Sequence, residues 1–307
     1  MPFKSPFTKR ATAEMVTEGL KLDGQYFLVT GINSGLGKET MRILTKRNAI
    51  VFGTSRTLEK AARACEGMGS NAIPLECDHT DFGSVLNCIS NLKRDQVRLN
   101  GVIANAGLLS SQVELCSDGI EKQYFVNHVA HFALITRLLA NGVLSNETAS
   151  RIVVVSSDLH KQADVVFPPP PNTCTAVGAY RTSKLANLLF AKKLAREFRS
   201  SASCEMMATA VHPGIVNTGV ARHQGLMLKS LFGLFAPLLF KSVEQGAATQ
   251  VFAAVHPAGP RACRNTDYLE NCTEAMPSTD ANDIQLQDQL WKDTERLVRR
   301  LEGHEEC

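Results

Sequence analysis

A strand that runs into a glycine-rich turn and out into a helix leaves few folds open, and this chain has one near its start. Tyr26-Phe27-Leu28-Val29-Thr30 is an apolar run, Gly31-Ile32-Asn33-Ser34-Gly35-Leu36-Gly37 follows, and Lys38-Glu39-Thr40-Met41-Arg42-Ile43-Leu44 has helical character. In that context each glycine has its own task. Gly31 turns the chain tightly off the strand, Gly35 lets backbone approach a pyrophosphate, and Gly37 lets the helix pack near the sheet. The free N–H groups and positive end of the helix then face phosphates. The spacing is Gly-x3-Gly-x-Gly, not the commoner Gly-x-Gly-x2-Gly, which alone leaves a plain glycine turn open.

The chain of 307 residues, 44% hydrophobic, suits one large α/β domain or two small ones. A net charge of +3, carried by dispersed basic residues, argues against a nucleic-acid partner. The nine cysteines form no Cys-x-x-Cys and no Cys/His set with zinc spacing. They read as reduced thiols in an intracellular, cytoplasmic setting, with an organelle or a membrane-peripheral position as the alternatives and no metal expected. The N-terminus lacks the apolar core of a secretory signal. The longest apolar stretch, 225–240, is broken by Lys229 and Ser230 and is too short for a confident membrane span.

Residues 1–20 read as an N-terminal extension, with a short helix over Thr12–Gly19, ahead of a single domain spanning 21–307. The pattern predicts strands at Tyr26–Thr30, Ala49–Thr54, Ala72–Cys77, Gly101–Ala104, Arg151–Val155, Met206–Val211 and Thr266–Leu269. Helices are expected at Gly35–Arg47, Leu58–Glu66, from Phe82, at Ile120–Leu139, from Tyr180 to Arg199, at Val243–Val255 and at Ala281–Leu301. Strand and helix alternate without a linker or repeat, so the fold class is α/β, one parallel doubly wound sheet with helices on both faces. Pro168–Pro171 predict a stiff loop rim.

Ligands of such sheets sit at the carboxyl ends of the strands. The second strand ends in Gly53-Thr54-Ser55-Arg56, with an arginine where an NAD site usually has an acid. Arg56 can pair with a 2′-phosphate, favouring NADP(H) over NAD(H), or stand as a solvated charge. Asp78, after the third strand, can accept from an adenine amino group or cap the next helix. Asn105-Ala106-Gly107, after the fourth, lets backbone approach a cofactor.

Tyr180 and Lys184 lie four apart on a helix and share a face. An adjacent ammonium favours the phenolate and lowers the tyrosine pKa, making it a usable acid/base. Ser157 can hydrogen-bond a substrate carbonyl, and Asn127 can hold a water linking Lys184 to solvent. The nicotinamide would carry the hydride.

Thr30–Gly37, Asn105-Ala106-Gly107, Asn127, Ser157, Tyr180/Lys184 and Pro213-Gly214 together resemble the classical short-chain dehydrogenase/reductase superfamily, over about residues 20–300. The resemblance implies a Rossmann-type sheet and a Ser157–Tyr180–Lys184 triad with Asn127 as fourth member. It implies cofactor contacts at Asn33, Ser34, Leu36, Asp78 and Asn105, with Ile215 and Thr218 near the nicotinamide amide. Asn127-His128-Val129-Ala130-His131-Phe132, Ser183–Asn187, His212-Pro213-Gly214 and Ser242–Ala247 are similar to the retinol dehydrogenase, WW-domain oxidoreductase and chloroplast translocon Tic32 group. Two departures stand out: no WW domain, since the only Trp is Trp291, and no membrane anchor.

The expected function is NADP(H)-dependent hydride transfer to or from an apolar carbonyl or alcohol: a lipophilic aldehyde, ketone, retinoid or steroid-like molecule. The apolar residues around Leu226–Phe235 suit a substrate lid over about 222–242; a core or dimer helix and a peripheral membrane contact are the other readings. A homo-oligomer is compatible with the family. A second function class is a redox-sensing or scaffold protein that binds NADP(H) and acts through a protein partner, against which the intact four-residue set argues. His128 and His131, three apart with no third ligand, read as packing residues.

Overall fold

Apolar and β-branched runs build the sheet. In the computed structural model, which describes residues 5–116, 118–216, 240–259 and 266–303, β1 (Tyr26–Thr30), β4 (Gly101–Ala104) and β5 (Arg151–Val155) occupy the centre. β2 (Ile50–Ser55) and β3 (Ala72–Glu76) extend one side; β6 (Met207–His212), β7 (Tyr268–Glu270) and β8 (Thr273–Glu274) extend the other. The order is β3-β2-β1-β4-β5-β6-β7-β8, parallel throughout except for the final β7–β8 pair. The strand order reverses direction between β1 and β4, which opens a crevice at their carboxyl ends.

Successive strand residues point to opposite faces, and two cores result. Leu28, Val102, Ile152 and Val154 face α3 (Phe82–Arg94), α5 (Ala130–Ala140), α6 (Ala176–Ser200) and α8 (Ile284–Leu301). Phe27, Val29, Ile103, Val153 and Val155 face α1 (Gly35–Lys46) and α7 (Val243–Val255). The segment from Ser5 joins the second core: Ala13 N donates to Glu244 O at 2.9 Å, and Phe7 packs edge-on to Phe252. α2 (Leu58–Cys65) lies between β2 and β3, and α4 (Lys122–Tyr124) is a single turn.

The helix expected over Ile120–Leu139 is interrupted. α4 passes into a π-helical turn, Phe125–Val129, before α5 begins, and Asn127 sits inside that turn. Tyr180 lies a turn inside α6, because Thr175 caps the helix at Gly178 N. The helix expected at Thr12–Gly19 shrinks to a 3-10 turn, Met15–Thr17; packing of Ala11, Ala13 and Val16 against α7 holds it instead of helix propensity. The antiparallel β8 carries too short a pattern to be seen in the sequence.

α8 straps the outer face of α5 and α6. Trp291 meets Phe132 at 4.9 Å and Phe190 at 5.7 Å between ring centroids. Arg137 is held by Glu302 at 2.8 Å and Glu295 at 3.0 Å. Arg196 and Lys193 pair with Asp288.

Candidate active site

The turn after β1 is shaped by close backbone approach. Gly31 has φ +73°, and a Cβ there would stand 2.9 Å from Ala106 Cα. A Cβ on Gly37 would overlap the Gly31 carbonyl oxygen and lie 2.5 Å from Asn105 Nδ2. Among α-helices of the described residues that start from a loop, α1 alone has no side-chain cap. Ser34 makes no cap bond, whereas Thr57, Asp81, Glu121, Thr175, Ser242 and Asp283 cap theirs. Asn33 and Ser34 are exposed, and Leu36 packs toward Gly246. Open amides at a positive helix end, beside a glycine floor, fit the diphosphate of a dinucleotide.

Asn105 braces this cradle. Its Nδ2 donates to Thr30 O at 2.8 Å, its Oδ1 accepts from Gln250 Nε2 at 3.3 Å, and Thr30 Oγ1 accepts from the Asn105 and Ala106 amides at 2.9 Å. Asp78 does not cap α3; Asp81, next to the helix, does. Asp78 Oδ1 instead accepts from Thr80 N and Oγ1 at 2.9 and 2.8 Å. Arg56 is exposed and, among the described residues, forms no ion pair. The nearest strand-end acid, Glu76, in register with Ser55, is engaged by Leu58 N at 3.1 Å.

The other four residues converge across the crevice. Asn127 and Lys184 are buried; a Cβ on Gly107 would sit 3.5 Å from Asn127 Oδ1 and 3.6 Å from Lys184 Nζ. Lys184 Nζ donates to Val155 O at 3.0 Å and lies 5.6 Å from the centroid of the Tyr180 ring. Ser157 follows β5, its Oγ accepts from Leu159 N at 3.3 Å, and it lies close enough to the Tyr180 hydroxyl to favour the phenolate. Asn127 is clamped: Oδ1 accepts from Leu108 N at 2.7 Å, while Nδ2 donates to Leu108 O at 3.0 Å and Ser183 Oγ at 2.9 Å.

The electrostatics correct one expectation. Burial raises the Tyr180 phenol above its ordinary value near 10, and the nearby Ser157 side chain offsets this only in part. The same burial lowers Lys184 from near 10.5 to about 8. Desolvation disfavours both charged forms, so it outweighs the lowering expected from the lysine.

Pro213, Gly214 and Ile215 follow β6 and face the same crevice end of the sheet. Lys241 lies over Gly214, where a Cβ would be 2.8 Å from its Cδ, and Lys241 N donates to Ile215 O at 2.8 Å. Thr218 and all but 240–242 of the expected lid lie outside the described residues.

Two supporting residues escaped the sequence reading. His160 Nδ1 donates to Ser157 O at 2.6 Å and its Nε2 accepts from Ser278 N at 3.0 Å, fixing the serine's backbone. Gln123 Oε1 accepts from Ser110 N at 2.9 Å and Nε2 donates to Ala176 O at 2.8 Å, joining the loop after Gly107 to the start of α6. A histidine three residues past the serine is the only hint of the first; nothing in the sequence marks the second. No metal-holding group occurs among the described residues, and His128 bonds Thr294 Oγ1 at 3.2 Å.

The family model for short chain dehydrogenases matches residues 25–228. The chain belongs to the short-chain dehydrogenase family. Members are oxidoreductases that bind a nicotinamide cofactor and interconvert CH–OH and C=O groups of small molecules. The chain is 34% identical to short-chain dehydrogenase TIC 32 A, chloroplastic, of Brassica napus, over 97% of this chain and 96% of that one. It is 32% identical to human retinol dehydrogenase 14 (91% and 88% covered) and 30% identical to human WW domain-containing oxidoreductase (95% and 72%). A solved structure of an uncharacterised protein from Mycobacterium paratuberculosis superposes with a TM-score of 0.73 at 26% identity, covering 92% and 97%. Among the described residues no helix is long and apolar enough to cross a membrane.

Proposed function

We propose that this short-chain dehydrogenase is an NADP(H)-dependent oxidoreductase of apolar carbonyls or alcohols, with lipophilic aldehydes, ketones, retinoids or steroid-like molecules as the substrate class. The convergence of Ser157, Tyr180, Lys184 and Asn127 opposite the open end of α1 is the observation that carries the reading. The nicotinamide supplies the hydride when bound. Gly31, Gly35 and Gly37, with the amides after Ser34, would hold its diphosphate, with Asn33, Leu36, Ala106, Gly107, Pro213, Gly214 and Ile215 lining the path. Arg56 supports NADP(H) because it is free to meet a 2′-phosphate, while Glu76 is engaged elsewhere.

Ser157 Oγ orients the substrate oxygen. The raised Tyr180 pKa keeps the phenol protonated at neutral pH, the state required to donate to a carbonyl oxygen during reduction. Lys184, at about 8, is still largely protonated near pH 7 and can return a proton to the phenolate that forms. Its ammonium is anchored on the Val155 carbonyl at 3.0 Å. Oxidation of an alcohol reverses these roles.

The test is NADPH oxidation, followed by absorbance, across a panel of apolar carbonyls. Wild type is expected to turn over several. Tyr180→Phe should lose about 10²- to 10⁴-fold in kcat while still binding NADPH. Substantial turnover by that variant, or NADPH binding by wild type without turnover of any panel member, overturns the reading.

A further inference from the structure

We infer that His131 is a positioning residue for this reaction: it fixes the backbone carbonyl of Asn127 and ties it, through Thr30, to the cofactor cradle. The inference rests on the function proposed above and concerns how the proton path at Asn127 is held.

His131 is 1% exposed and is the second residue of α5, four residues beyond Asn127. Its Nδ1 lies 3.0 Å from Asn127 O and its Nε2 lies 2.9 Å from Thr30 Oγ1. A carbonyl can only accept, so Nδ1 carries the proton. A neutral imidazole has one N–H, so Nε2 is bare and Thr30 must donate to it. That uses the single hydroxyl proton of Thr30, which takes the shorter contact in preference to Ile103 O at 3.4 Å. Its oxygen then has two lone pairs, and two amides, Asn105 N and Ala106 N, point at it at 2.9 Å. Each donor of the set then has an acceptor within 3.0 Å.

The set spans three chain segments that the sequence singles out separately: the end of β1, the Asn105-Ala106-Gly107 turn, and Asn127 in its π-helical turn. In that turn the backbone bond of Ala130 N reaches back to Phe125 O, and a side chain, not the backbone alone, serves the Asn127 carbonyl. The Asn127 amide is consumed by Leu108 and Ser183. With its direction fixed by His131, the backbone carbonyl is oriented for the water that links Lys184 to solvent. Burial, the neighbouring His79 ring at 4.5 Å and the Lys184 ammonium all oppose a charge on His131, which keeps the one tautomer that satisfies both partners.

The two contacts can be separated. An asparagine amide reaches where Nδ1 stands and a glutamine amide where Nε2 stands. His131→Leu removes both contacts and is expected to lower kcat by about 10- to 100-fold, with NADPH Kd and carbonyl KM within about 3-fold of wild type. His131→Asn should recover most of that kcat, and His131→Gln should not. In wild type, imidazole nitrogen-15 NMR, assigned by the signal lost in His131→Asn, should show neutral His131 protonated on Nδ1 across neutral pH. Protonation on Nε2, wild-type kcat in His131→Leu, or equal kcat loss in the Asn and Gln variants overturns the inference. The tautomer is read without turnover. An inactive wild type with Nδ1 protonated therefore overturns the functional reading and leaves the hydrogen-bond assignment supported.

Discussion

Gly37→Ala is the sharpest probe of the cradle. The added methyl would stand 2.5 Å from Asn105 Nδ2 and 2.9 Å from Gly31 C, and would overlap the Gly31 carbonyl oxygen. An ordinary contact needs roughly 3.5 Å, so α1 or the turn must give by about 1 Å. Neither yields cheaply. Asn105 is held by Thr30 at 2.8 Å and by Gln250, and the Gly31 amide is bonded to Thr54 O at 3.0 Å. Overpacking of this kind costs about 1–3 kcal/mol. At roughly 2–4 °C per kcal/mol, thermal unfolding should fall by several degrees. The same shift moves the open amides of α1 away from a diphosphate, and losing one charge-assisted bond costs about 1.5–3 kcal/mol. NADPH affinity, measured by titration calorimetry on folded protein, should therefore drop about tenfold or more. A variant that melts within about 1 °C of wild type and binds NADPH within about 2-fold would refute this account of the cradle.

Other perturbations separate the remaining parts. Arg56→Asp should weaken NADPH by about tenfold or more while affecting NADH far less, read from the two dissociation constants; equal effects would remove the basis for NADP(H). Burial lowers Lys184 from near 10.5 to about 8, so the unfolded chain binds the proton more tightly between those values. The penalty is complete below about pH 8 and is relieved as pH rises toward 10.5. Lys184→Met should thus gain up to roughly 3 kcal/mol at pH 7, with the advantage shrinking across that window in paired denaturant melts. The Val155 carbonyl keeps its bond from Asn187 at 3.1 Å in that variant. Trp291→Ala should cost about 2–4 kcal/mol by losing its packing on Phe132 and Phe190, and should leave NADPH affinity unchanged in the same calorimetric assay.

Where one local rule governed, the sequence was readable. Ile152-Val153-Val154-Val155 is a continuous β-branched run, and with Arg151 it forms β5 over the expected residues. Ser242 and Gln245 close a capping box, and α7 starts where expected. The π-helical turn was not readable, because Phe125-Val126-Asn127-His128-Val129 contains no breaker. The partners that accompany it, Leu108, Ser183 and the side chain of His131, lie outside that pentapeptide. Asp78 was one expected cap for α3; Asp81, adjacent to the first helical residue, takes that place. The candidate residues lie together as their order along the chain suggested, but the protonation of Tyr180 and Lys184 depends on how deeply packing buries them.

The strap formed by α8 has a bearing on self-association. Two parallel helices with a broad apolar face, such as α5 and α6, are a natural surface for a second copy to cover. Here the chain covers that face itself, with Leu290, Trp291 and Thr294 laid against Phe132, Phe190 and His128, and ion pairs from Arg137, Lys193 and Arg196 along the seam. While α8 stays docked, any subunit contact must be built on another face. A chain relieved of α8 would present an apolar stripe in water and tend to find a partner in its own kind.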